Sequence, residues 1–152
     1  MTLPLALQDM VAPGEPVLGH WRPALGQFLK GFVIAGGLTS LLLGPLTLPQ
    51  GPLVFLATLI LGVAIYGFIF DDIFVWRARR ADHWVLTDRQ LLFCNDRGDD
   101  NPAALPLDQI KGFAGTAWMG LTLRLTDGTK LRMSYVPAPR AIRAAIEAAQ
   151  SR

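Results

Sequence analysis

At 152 residues the chain is long enough for one ordinary domain, but its 51% hydrophobic content is concentrated in the first half and only 17% of its residues are charged. Most of the charge follows Trp76: residues 77–152 carry twelve Lys/Arg against eight Asp/Glu, a local balance of +4. That balance suits an anionic surface but is too small to indicate nucleic acid, and a single cysteine, Cys94, excludes an internal disulfide and a cysteine-built metal site.

Residues 1–27 are punctuated by Pro4, Pro13, Pro16 and Pro23, which lack the backbone donor that a helix interior or a central strand requires. With Arg22 as the only cation there is no basic region leading straight into an apolar core, so no cleaved signal is expected. The spacing predicts an irregular or edge-strand lead-in.

Residues 28–48 form an apolar run whose one charge, Lys30, sits near its start, where the long stem can reach outward. Gly44-Pro45 should kink or end it. Pro49-Gln50-Gly51-Pro52 then makes an uncharged turn, and the run from Pro52 stays uncharged to Asp71. About 20 apolar residues suffice to cross a hydrocarbon core, so the two segments, 28–48 and 52–76, predict a transmembrane helical hairpin. Arg22 and Lys30 precede it, Arg77, Arg79 and Arg80 follow it, and the turn carries no cation. That asymmetry predicts a multi-pass protein with both termini on the cytoplasmic side.

After Arg80 the hydrophobic period changes. Runs at 83–87 and 90–94 flank Asp88-Arg89 and predict a hairpin, and 104–114 predicts a third, irregular strand. Leu121, Leu123 and Leu125 alternate with polar residues, Asp127-Gly128 turns the chain, and Leu131, Met133 and Tyr135 alternate again, the strongest hairpin signal present. Pro137 and Pro139 end that pair. Beyond them Ile142, Ala145, Ile146 and Ala149 share one face of a C-terminal helix. Residues 77–152 thus predict five antiparallel strands closed by one helix, and the whole chain an α+β membrane protein.

Three stretches carry a resemblance to a known family. They are Gly14-Glu15-Pro16-Val17-Leu18 with Trp21-Arg22-Pro23, then Trp84-Val85-Leu86-Thr87-Asp88-Arg89-Gln90-Leu91-Leu92, and finally Leu105-Pro106-Leu107-Asp108-Gln109-Ile110 together with Asp127-Gly128. In this order the chain resembles the bacterial pleckstrin-homology-like family of small membrane proteins, which includes assembly factors of photosynthetic complexes. The resemblance implies a pleckstrin-homology-like barrel or sheet behind the helical hairpin, in a bacterial cytoplasmic (inner) membrane. The photosynthetic factors are longer and have more helices, which leaves that particular assignment open.

Catalysis requires converging groups, and little in the sequence supplies them. His20 and His83 are the only histidines, lie on either side of the hairpin, and have no evident third ligand. Cys94 ends an apolar strand and reads as a structural thiol. Asp96, Asp99, Asp100 and Asn101 around Gly98 lack the distal glutamate of a calcium loop. No enzyme, cofactor or metal is expected, and no small-molecule substrate is indicated. Candidate interaction residues are clearer. Gly36, Ser40 and Gly44 recur every four residues and offer a groove of small side chains to another helix, filled either by the second helix of the hairpin or by a partner subunit. Asp71 and Asp72 end the second apolar run, where carboxylates are costly unless paired or wet. Trp118 and Met119 stand at an expected loop tip. The sequence therefore predicts a non-enzymatic membrane-anchored interaction module, an accessory or assembly subunit whose partners are membrane proteins of a larger complex. The alternative is an anionic-lipid-headgroup domain using Arg77, Arg79, Arg80 and Arg89.

Overall fold

The structure is a computed structural model that describes residues 4–47, 51–69, 72–96, 102–115 and 120–151. The chain divides into two compact units, one made of Met1–Gln27 with Ala78–Arg152 and the other of Phe28–Arg77.

In the first unit a short helix α1 (Leu5–Gln8) leads to strand β1 (Val17–Trp21). After the helical unit come β2 (Asp82–Thr87), β3 (Gln90–Asn95), β4 (Ala103–Pro106), β5 (Ile110–Gly115), β6 (Gly120–Leu125), β7 (Lys130–Ser134) and a helix, Pro139–Gln150. The strands form two antiparallel sheets, ordered β1-β2-β3-β4 and β5-β6-β7. This corrects the expected single five-stranded barrel or sheet, for two physical reasons. Residues 17–21 can pair because the prolines lie outside them, so the lead-in supplies an edge strand, with His20 opposite Val85 and Trp21 opposite Trp84. The expected third strand breaks at Pro106, which cannot donate to a ladder. A 3-10 turn over Leu107–Gln109 then carries the chain from one sheet to the other.

Trp84, Leu86 and Leu91 from the inner face of the first sheet meet Leu121, Leu123 and Met133 from the second, with Ile142, Ile146 and Ala149 of the C-terminal helix completing the core. All six residues of β2 are buried, because both its faces are covered. On the outer face, Val85, Leu92 and Cys94 pack under Leu7, with Met10 and Val11 alongside. The segment running from α1 to Pro16 is therefore a strap across the first sheet.

The second unit holds most of α2 (Leu25–Thr47) and α4 (Asp72–Arg79) and all of α3 (Pro52–Ile69). Both apolar runs are helical, but among the described residues no helix is long and apolar enough to cross a membrane. That finding corrects the transmembrane hairpin, and with it the α+β membrane-protein class and the multi-pass inner-membrane placement with cytoplasmic termini. α3 has 18 residues, about 27 Å at about 1.5 Å per residue, against a hydrocarbon core of about 30 Å. Lys30 places a charge in the second turn of α2, and residues 70 and 71, between α3 and α4, lie outside the described residues.

Candidate functional site

Within the helical unit the small-residue stripe has a defined occupant. The Ser40 hydroxyl donates to the carbonyls of Gly36 at 2.9 Å in its own helix and of Leu59 at 3.1 Å in α3. A side chain at Gly36 would stand 2.7 Å from Val63 Cγ2, and one at Gly62 would collide with Ser40 Oγ. Small residues let the two backbones approach, and the hydroxyl then reaches across to the facing helix. Trp76 of α4 stacks on Phe28 of α2, with ring centroids 5.1 Å apart. The surfaces turned away from these contacts are apolar. Leu38 and Leu41 on α2, and Leu53, Leu56 and Ile60 on α3, are each more than half exposed.

The other predicted residues are scattered. Gly44 continues α2, and Asp72 opens α4. Asp71, Trp118 and Met119 lie outside the described residues, as do Gly98, Asp99, Asp100 and Asn101. Arg77, Arg79 and Arg80 are exposed, and Arg79 sits 3.8 Å from the buried carboxylate of Asp82. Arg89 is exposed at the opposite end of β2, so the strand separates it from Arg79 and Arg80.

The β2–β3 turn is built by Thr87. Its Oγ1 accepts from the amides of Arg89 at 3.3 Å and Gln90 at 3.0 Å and donates to the Gln90 carbonyl at 3.0 Å. Glu15 of the strap faces this turn and accepts from the Ala12 amide at 3.0 Å. Burial works against its charge, but Thr87, the Ala12 amide, Gln90 and the guanidinium of Arg89 together hold its carboxyl below the usual range. Asp88 lies between two depressions. One, of about 300 Å³, is lined by Leu107, Asp108, Ala149 and Gln150, and the other, of about 130 Å³, by Ala12–Glu15 and Arg89.

The chemistry that sequence reasoning missed lies on the outer face of the first sheet. β1 and β2 bring the two histidines together, with His20 Nε2 3.0 Å from His83 Nδ1. His83 Nε2 lies 2.9 Å from Asp96 Oδ2, close enough for the carboxylate to favour the charged ring. His83 is 4% exposed. Burial pushes its imidazolium down, Asp96 pulls it up, Arg22 pushes it down, and burial wins. Burial, His83 and Arg22 all hold His20 down. Burial, with the charges of Asp96 and Asp82, pushes the Cys94 thiol up, which disfavours the nucleophilic thiolate. Among the described residues no group of three or more His, Cys, Asp or Glu could hold a metal ion. The signal for the histidine pairing was pairing itself: once residues 17–21 are read as a strand antiparallel to 82–87, both histidines fall on the same face.

Comparisons with protein-family models, curated proteins and solved structures returned no match.

Proposed function

We propose that this chain is a non-enzymatic interaction module, an accessory or assembly subunit that docks onto a larger protein complex through α2 and α3. The exposed aliphatic surface of the helical pair carries this reading. A helix that is apolar all round needs cover, and a patch of this extent on a single chain marks an interaction surface. The pleckstrin-homology-like resemblance supports the same class. Its Thr87-Asp88-Arg89-Gln90 stretch makes the β2–β3 turn, Leu105–Ile110 makes the crossing between sheets, and Asp127-Gly128 makes the β6–β7 turn.

The test is a photo-crosslinking residue placed at Leu41 or Ile60 of the full chain in its native cells. The expected outcome is one and the same partner protein captured from both positions, and lost when Leu38→Gln and Ile60→Gln are combined. Adducts to lipid alone, or a chain that purifies without any partner, would overturn the proposal.

A second reading, anionic-headgroup binding, is favoured by α4, whose exposed Ile73 and Phe74 precede the exposed Arg77 and Arg79. Equal binding of the full chain to vesicles with and without anionic lipid would exclude it.

A further inference from the structure

The geometry of the histidine pair restricts how many protons it can hold. The ring centroids are 5.2 Å apart and the planes lie within 15°. That is the spacing of two imidazoles joined edge to edge through facing nitrogens, one ring radius on each side of the 3.0 Å gap. Such a gap holds one proton, donated by one nitrogen and accepted by the other. With both rings neutral, one N–H lies in the gap. With one added proton an imidazolium donates to an imidazole, and the bond persists with charge assistance. With two added protons, two N–H groups and two positive charges confront each other, and the bond cannot form.

The surrounding charges come from three elements. Arg22 follows β1 and opposes protonation of both rings. Asp96, just beyond β3, favours a charged His83. Cys94 on β3 is a neutral thiol pushed toward still higher pH. Asp82, at the start of β2, is engaged by Asn95 Nδ2 at 2.6 Å and by Arg79 at 3.8 Å. Mechanically, β1 is an edge strand of five residues that, among the described strands, pairs with β2 alone, and it continues the strap lying over Val85, Leu92 and Cys94.

We propose that the His20–His83 contact is a proton-operated latch that holds β1 and its strap on the first sheet with zero or one added proton and releases them when a second proton binds. Release bares Val85, Leu92 and Cys94 on the outer face. Because the latched form excludes the doubly charged pair, docking of β1 is fully present above the ordinary histidine pKa, about 6.5, and weakens as pH falls below it.

Hydrogen exchange of the full chain between pH 7.5 and 5, corrected for intrinsic exchange, tests this alongside an NMR titration of both imidazoles. Amides of residues 17–21 should lose protection about tenfold per pH unit over the range in which the second proton binds, while β6 and β7 stay protected. His20→Gln keeps a side-chain donor for His83 Nδ1 but takes no proton, and should leave β1 protection flat with pH. Asp96→Asn should move the transition to lower pH. A flat wild-type profile, an unchanged profile in His20→Gln, or an unmoved transition in Asp96→Asn would each overturn the latch.

Discussion

Ser40 and Gly62 show how much of the helical pair depends on single atoms. The hydroxyl fills the space that a methyl group at Gly62 would need. Gly62→Ala should therefore overpack the contact and cost about 1–3 kcal/mol. Ser40→Ala should cost about 1 kcal/mol through the lost bond to Leu59. The double variant should be less destabilised than the sum, because removing the hydroxyl makes room for the methyl. Urea unfolding followed by helical circular dichroism measures all three, and strict additivity would contradict the packing described. A different device acts at Ala138, the residue before the C-terminal helix α5 (Pro139–Gln150). It sits at φ 46°, in the left-handed region, with no side-chain cap. Ala138→Gly should raise stability by up to about 1 kcal/mol, since glycine enters that region without the penalty that Cβ imposes. At the other end of α5, Gln150 Nε2 donates to the carbonyls of Leu107 at 2.8 Å and Ile110 at 2.9 Å. Gln150→Ala should cost about 1–3 kcal/mol and lower the thermal midpoint, because two half-buried carbonyls lose their donor.

Among the elements, the β6–β7 hairpin and α5 were the most legible. The alternation of Leu121, Leu123 and Leu125 with Thr122 and Arg124 is periodic enough to specify a strand. The turn is local chemistry as well: Gly128 takes φ 87°, while the Asp127 carboxylate accepts from the Thr129 amide at 2.8 Å and its hydroxyl at 2.7 Å. Ile142, Ile146 and Ala149 share the buried face of α5 because helical spacing puts them there. β1 was less legible. Its pattern is mixed and prolines surround it, so only pairing with β2 makes it a strand. The strap gives the same lesson in reverse, because Leu7 is completely buried while its helix has only four residues, too few to form alone. Leu7→Ala should loosen the strap and speed alkylation of Cys94 by iodoacetamide at pH 8 several-fold, with β6 and β7 unaffected. An unchanged rate would mean that Leu7 is not what shields the thiol.

For the whole molecule, pH dependence separates two sets of groups. His20 and His83 are held below their ordinary value, so the unfolded chain binds more protons near pH 6 and stability should fall as pH drops through and below about 6.5. Glu15 and Asp127 are carboxylates held below ordinary values of 4.5 and 3.8, so their contribution is present above those values and lost only in stronger acid. Urea midpoints from pH 8 to 3 should show two separate declines, with the upper one reduced in His20→Gln, where burial and Arg22 still hold His83 down. The candidate site was only partly readable for a related reason. The arginines were visible as charge, but β2 places Arg79 and Arg80 at one end and Arg89 at the other. The histidines were visible as chemistry, yet 63 residues apart in sequence, and no local signal joins positions so distant.

What the sequence determined by itself follows from short-range physics: an apolar half that is helical, a charged half rich in strands, the β6–β7 turn and the buried face of α5. Tertiary structure decided the rest. It recruited β1 into the first sheet, divided the expected third strand between two sheets at Pro106, seated Ser40 of α2 against Gly62 of α3, and brought His20 within 3.0 Å of His83. It also corrected the transmembrane hairpin, since among the described residues no helix is long and apolar enough to cross a membrane. Periodicity and turn chemistry are encoded within a few residues. Register between distant strands is settled only when their faces compete for the same core.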